Sequence, residues 1–368
     1  MKNRLFGVVL LAILSLASSC DPDMGNNTTA CESDFDQKAM FTNLADNLIV
    51  PAFKDFESKV AQLSLSQTAF TETPNQANLE TLRADFITTY TSFQAVAQYN
   101  FGPAKTVFFR SSLNNFPLNI AETQANIQAG MYDFEMPDNY DKGFPALDYL
   151  LYGLADNDTD IVNTYIIGES AANHIQYLED VVTAISFATT HVADAWQSTY
   201  RDEFVNNTGT AAGTSLSLII NDLNENYELT KRDRLGIPSG VLTLGFTNPE
   251  KVEAPFSGLS KELLVASLEA SEALFKGAAG QGLDDYLADV NARKNDQLLT
   301  DVITNQLASA LEAARAIEGD IAVVVEDNLE AVTNAYAESA KNVVPLKTDM
   351  PSVLCVSITY IDNPSDSD

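Results

Sequence analysis

The 368 residues include 21 lysines and arginines against 51 aspartates and glutamates, a formal net charge of −30. That balance excludes nucleic acid as a partner and makes an anionic lipid surface repulsive, so any hold on a membrane must rest on something other than basic residues. Two histidines and three cysteines leave few groups for metal ligation or nucleophilic catalysis, and a chain of this length is expected to fold as two domains.

Residues 1–19 read as a targeting segment. Lys2 and Arg4 form a positive start, Leu5 to Ala17 an apolar run broken only by Gly7 and Ser15, and the small residues Ser18 and Ser19 lead into Cys20. Thirteen helical residues reach only about 20 Å, short of a hydrocarbon core of ~30 Å, so the run is a leader and not a span. Leu16-Ala17-Ser18-Ser19-Cys20 resembles a bacterial lipobox, with Ala17 where Leu is commoner. The resemblance implies an acylated Cys20 as the mature N-terminus and a place in the cell envelope, lipid-anchored on the periplasmic or the cell-surface face of the outer membrane. The alternative is ordinary secretion with Cys20 a plain thiol. Cleavage removes two bases and no acid, moving the charge to −32. Lipidation of Cys20 leaves Cys31 and Cys355 as an even pair where disulfides are permitted; a bridge between them and two free thiols both stand.

Residues 20–36 are polar and aperiodic, as a flexible tether should be. From Met40, the residues Phe41, Leu44, Leu48, Phe53, Phe56, Val60 and Leu63 recur at mostly three- and four-residue steps, which predicts an amphipathic helix that Pro51 should kink. Thr73-Pro74 predicts an N-cap with Pro at the first helical position, followed by the stripe Leu79, Leu82, Phe86, Tyr90, Phe93 and Ala97. After the break at 100–103, periodic segments near 160–188, 190–205, 211–233, 258–276, 296–318 and 320–344 predict an all-α protein. The β-branched runs Val323–Val325 and Val353–Ile361 are the exceptions, read as short strand or extended tail. An echo at an offset of 137 relates Gly143–Leu150 to Gly280–Leu287, and Leu82, Phe86 and Tyr90 to Ile219, Leu223 and Tyr227. It suggests two tandem helical bundles from an internal duplication. The expected layout is a first bundle over 37–189, a second over 190–350 and a C-terminal tail over 351–368.

His174 and His191 are 17 residues apart, beyond the spacing that sets two imidazoles on one helical turn, and each reads as an ordinary surface or half-buried helix residue. Neither a nucleophile elbow nor a Gly-rich phosphate loop occurs, so no catalytic residue is assigned. The informative segment is Gly143-Phe144-Pro145-Ala146-Leu147-Asp148-Tyr149-Leu150-Leu151-Tyr152-Gly153. It resembles the imelysin family, whose members carry Gly-x-His-x-x-Glu at this place. Ile49-Val50-Pro51, Phe101-Gly102-Pro103, Phe116-Pro117-Leu118, the run from Pro249 to Ser257, and Pro345–Met350 with Val356–Tyr360 extend the resemblance over nearly the whole mature chain.

The resemblance implies a two-domain, mostly helical, exported protein associated with iron acquisition and labelled a metallopeptidase. This chain departs from the motif, with Pro145 at the place of the histidine and Asp148 at that of the glutamate. A histidine and a carboxylate three residues apart could share a metal ion. Pro145 offers no donor, and one carboxylate falls short of the three protein ligands of a water-activating zinc site. The expectation is a noncatalytic binding protein for iron- or metal-related uptake, with a divalent or iron cation as candidate cofactor and an outer-membrane uptake protein as candidate partner. A divergent metallopeptidase and a structural surface protein are the alternatives.

Three sets of residues are candidates for the site. Asp148 and Asp285 could collect a cation across a cleft between the halves, or serve only as first-turn helix residues. Glu253 and Ser257 could line the same region, or cap the helix near 258 with Ser257 or Ser260 as N-cap. Lys231, Arg232 and Arg234 could grip an anion, or simply face the negative pole of their own helix.

Overall fold

Apolar residues at three- and four-residue spacing build long helices whose inner faces meet in one contiguous core running from Met40 to Val356. The computed structural model describes residues 33–134 and 139–360. Helix α1 (Val50–Glu72) buries Phe53, Phe56, Val60, Leu63 and Phe70. It packs against α2 (Gln76–Val96), which buries Leu79, Leu82, Phe86, Tyr90 and Phe93. The short α3 (Gly143–Asp148) and the long α4 (Ala171–Gln197) complete the first half, α4 lying along α1. In the second half, α5 (Ser215–Lys231), α6 (Ser260–Lys276), α7 (Leu283–Asp289), α8 (Leu299–Arg315) and α9 (Leu329–Lys341) follow in order. The halves are joined where α6 packs on α2, and α6 in turn contacts α5 and α8. Phe56, Phe93, Phe109 and Phe144 form an aromatic cluster beside Tyr90, whose ring stacks on Phe144 at 4.5 Å between centroids. Full burial of each such ring stabilises by about 1.5–3 kcal/mol.

Three prolines are accommodated by widened turns. An α-helix would need the Pro51 nitrogen to donate to the carbonyl of Asn47, and the ring would collide with that carbonyl. Residues Ala45–Ile49 instead form a π-turn, with the Val50 N–H bonded back to Ala45. The same solution appears at Arg232–Gly236 before Pro238 and at Pro345–Asp349 before Pro351, where the Ile237 and Met350 N–H groups reach Arg232 and Pro345. A fourth π-turn, Tyr149–Gly153, follows α3. Its Leu151 carbonyl is taken by Arg83 Nε and Nη2 at 2.9 and 2.7 Å, and its Leu150 carbonyl by the Tyr165 hydroxyl at 2.8 Å.

Several expectations are corrected. Thr73 closes α1, its N–H still bonded to Ala69, while the cap of α2 is Asn75, whose Oδ1 accepts the Asn78 N–H at 3.0 Å. Val323–Val325 lies in the helix Ile321–Asp327, which Asp320 caps, and the segment 320–344 divides at Asn328. Residues 356–360 run extended, in keeping with the tail reading of that run, and are held by Asn221, whose side chain meets Ser357 and Thr359. Among the described residues the one sheet is a hairpin of Arg293–Lys294 and Gln297–Leu298. The expected boundary at 189/190 falls within α4, a continuous helix.

The 137-residue echo relates segments with different surroundings, since α3 leads into a π-turn and α7 into the hairpin. The two π-turns at 45–49 and 232–236 instead share Asp, Leu and Pro in register, at Asp46, Leu48 and Pro51 and at Asp233, Leu235 and Pro238, 187 residues apart. Cys355 is disulfide-bonded, which removes the free-thiol reading for that residue; Cys20 and Cys31 lie outside the described residues. Among the described residues, no helix is long and apolar enough to cross a membrane.

Candidate functional site

The sequence placed its motif at α3, whose last residue adds a second link between the halves to the packing of α6 on α2. Gly143 starts the helix at φ +70°, and a Cβ there would sit 2.2 Å from the Leu113 carbonyl oxygen, so both the conformation and the close approach require glycine. Pro145, the third helical residue, lacks only an N–H that the first turn leaves unpaired. Asp148 ends this six-residue helix, beyond its first turn, and is fully buried. Its carboxylate looks away from the helix to the second half, accepting the Phe256 N–H at Oδ2 and the Ser257 N–H at Oδ1, each at 3.0 Å. Gly153 leaves room for the Phe256 ring, which packs edge-on to Tyr149. Burial pushes Asp148 up to about 6, against the bonds from Ser257 and Phe256 that favour its charged form.

The loop that Asp148 seats carries Glu253 into a second buried assembly. Glu253 and Arg234 are 1% and 6% exposed and form an ion pair. Glu253 Oε1 also accepts from Asn114 Nδ2 at 2.6 Å and Gln94 Nε2 at 3.3 Å, and lies 3.1 Å from the Tyr90 hydroxyl, which is 2.7 Å from Asn114 Oδ1. The remaining N–H groups of Arg234 go to Gln94 Oε1 at 2.7 Å, Thr230 Oγ1 at 2.7 Å and Ser267 Oγ at 3.1 Å. Burial alone would lower the Arg234 pKa; the Glu253 carboxylate outweighs it and keeps the guanidinium charged. The π-turn puts Arg234 on the same inner face as Thr230, while Arg232 and Asp233 stay half-buried. Tyr90, Gln94 and Asn114 belong to the first half, and the other four residues to the second.

A cleft of about 540 Å³ opens beside this assembly and shares Arg234 and Asn114 with it. Arg110, Glu225, Asn226 and Tyr140 line other parts, as does Phe116-Pro117, whose peptide bond is cis. Arg110 pairs with Glu225 at 2.7 Å and lies 3.9 Å from Asp222, one turn earlier on the same face of α5. Asp222 is 4% exposed, and burial pushes it up to about 7; Arg110 opposes the rise and Glu225 adds to it. The cleft thus combines matched charges, side-chain amides and aromatic walls, an arrangement suited to holding a polar molecule.

The other sequence candidates are dispersed. Asp285 is exposed and accepts the Gly282 N–H at 3.0 Å, capping its own helix α7. Lys231 pairs with Glu228 and Arg232 with Asp233, so the basic triplet does not act as one cluster. Ser257 contributes its backbone N–H rather than a cap; the cap position of α6 is Leu259, and Ser260 Oγ bonds Asp320 and the Ile321 N–H. His174, half-buried, bonds the Ser170 carbonyl, and exposed His191 meets Thr106. Among the described residues, no group of three or more His, Cys, Asp or Glu is arranged to hold a metal ion. Tyr90, Gln94, Asn114, Arg110 and Asp222 were not singled out by the sequence; Asp222, set among Ile219, Ile220 and Leu223, carried the one local signal, a charge on a buried helix.

A family model described as imelysin, peptidase M75, matches residues 49–345. A solved structure from Parabacteroides distasonis, provisionally described as an iron-regulated protein A precursor, is similar at a TM-score of 0.74 and 15% identity, over 90% of this chain and 98% of that one. An imelysin-like protein from Psychrobacter arcticum is similar at 0.67 and 17% identity, over 89% and 98%. At these identities the likeness is one of fold. No curated protein matches the chain in sequence.

Proposed function

The chain belongs to the imelysin family, and on that premise we propose that it is a noncatalytic binding protein of the bacterial cell envelope, lipid-anchored through Cys20 and acting in iron- or metal-related uptake. The observation that carries this reading is the use made of the motif. Pro145 has no donor atom, and both oxygens of Asp148 are taken by the Phe256 and Ser257 N–H groups. The residues that would hold the family's metal do not fit one, and no chemical step is derived through it. The motif serves instead to fasten one half of the protein to the other, beside a cleft of ligand size.

The description of the Parabacteroides relative as iron-regulated supports the link to iron. An outer-membrane uptake protein is the partner this role calls for. The π-turn shared by 45–51 and 232–238 supports an origin of the two halves in a duplicated unit. The test of the noncatalytic reading is incubation of the purified mature protein with an unfolded protein substrate, with and without added zinc, manganese or iron. Intact substrate under every condition is expected; metal-dependent cleavage that a chelator abolishes would reverse the assignment to a peptidase.

A further inference from the structure

The segment between Arg234 and Glu250 contains no charged residue, and its middle forms the most exposed apolar feature of the described residues. Leu244 is 95% and Phe246 72% exposed, with Val241 and Leu242 at 45% and 47%. Leu244 also has φ +57°, the left-handed region that an L-residue with a branched side chain rarely adopts. The loop is firmly built. The Gly240 carbonyl accepts the Thr243 and Gly245 N–H groups, and the Thr243 carbonyl accepts that of Phe246. Thr243 Oγ1 and Asn248 Nδ2 both donate to the Phe246 carbonyl at 2.6 Å, and Asn248 Nδ2 ties it to Ile237 at 3.1 Å. A braced scaffold therefore presents a leucine and a phenylalanine to solvent, against the hydrophobic effect.

We propose that the loop 239–246 rests in a lipid bilayer, inserting Leu244 and Phe246 into its interfacial region and fixing how the anchored body faces the membrane. The inference rests on the lipid-anchored reading of Cys20. The thirteen residues from Cys20 to 32 span at most about 45 Å when extended, which holds the folded body at the bilayer and raises the effective concentration of the tip there. A specific protein interface needs ~800 Å² on each partner, about 20–30 residues a side, far more than these four exposed side chains; insertion needs only the four. Because the body is strongly acidic and the tip uncharged, the attraction is apolar and requires no anionic lipid. Ile237 lines the cleft at the root of the loop, so insertion sets one edge of the cleft toward the membrane.

The test tethers the mature protein by an N-terminal histidine tag to phosphatidylcholine vesicles containing nickel-chelating lipid, so that its outcome does not depend on whether Cys20 is acylated; mass analysis of the natural N-terminus checks that separately. Phe246→Trp is compared with Leu65→Trp, a 66% exposed position on α1; the native Trp196 is buried and dark to the quencher. On brominated lipid, the Phe246→Trp increment in emission is expected to fall at least about twofold and the Leu65→Trp increment to stay unchanged. Adding Leu244→Asp, at a 95% exposed site whose left-handed backbone suits Asp better than Leu, restores the emission without lowering the thermal unfolding midpoint. An unquenched Phe246→Trp, or equal quenching at both positions, overturns the proposal. So does a tip that escapes quenching but crosslinks to an envelope protein, which would assign the loop to a protein partner.

Discussion

Arg234 and Glu253 are paired almost out of water, at 6% and 1% exposure, and the hydrogen bonds left over from the pair go to Gln94, Asn114, Tyr90, Thr230 and Ser267. A charge so placed tolerates its partner and little else. Glu253→Gln leaves the guanidinium uncompensated and is expected to cost about 3–5 kcal/mol in urea unfolding, whereas the double variant Arg234→Met/Glu253→Leu is expected to cost less than the two single changes summed. Equal and additive losses in a double-mutant cycle would show that the pair is not coupled.

Asp148 gives stability a pH dependence of known sign. Its pKa rises from 3.8 unfolded to about 6 folded, so its contribution is full below about pH 4 and is lost as pH rises through 6. Asp148→Asn removes that slope, flattening stability between pH 4 and 6 by on the order of 1–3 kcal/mol relative to the native chain. At pH 8 the amide also presents its NH₂ to one of the two loop N–H groups, so faster amide exchange at Phe256 or Ser257 is the second expected readout.

Arg110 and Asp222 make a similar pair at the cleft. Burial is the larger influence on Asp222, which sits at about 7, and Arg110 is the main opposing one. Removing it by Arg110→Met is expected to raise Asp222 further, carrying its titration above pH 7 in carboxyl infrared spectra. An unchanged titration would mean that the 3.9 Å separation is electrostatically idle.

Cys355 closes a disulfide, with Cys31 the partner expected from the cysteine arithmetic. Non-reducing peptide mapping is expected to recover that crosslinked pair. Cys355→Ser should cost roughly 2–5 kcal/mol, and recovery of Cys355 as a free thiol from oxidised cells would contradict both statements.

Helices were legible in this sequence because their signal is local. The stripe from Leu79 to Phe93 repeats every turn, and the helix follows it. Pro51 was legible as a disturbance but not as a π-turn, since the turn is chosen by how the chain recovers its hydrogen bonds after the proline. Asn75 lost out to Thr73-Pro74 because both carry good capping chemistry and only the Ala69 bond to Thr73 decides between them. The site was less legible. Glu253 and Asp148 stood out through the family resemblance, but Tyr90 looked like one more stripe residue. Its hydroxyl matters because Asn114 and Glu253, distant in sequence, arrive beside it. Arg234 was read with Lys231 and Arg232 as one cluster, and the π-turn separates it from them.

On the proposed function, this imelysin-family chain holds its ligand in the cleft between the halves. The most direct measurement is elemental analysis combined with mass spectrometry of what the protein retains when extracted from its native envelopes, for the natural chain and for Ser111→Trp, which fills the cleft at one of its walls. One small molecule or metal complex per chain, lost in the variant, is predicted. The same ligand retained equally by both proteins, or none on the natural chain, would contradict the claim.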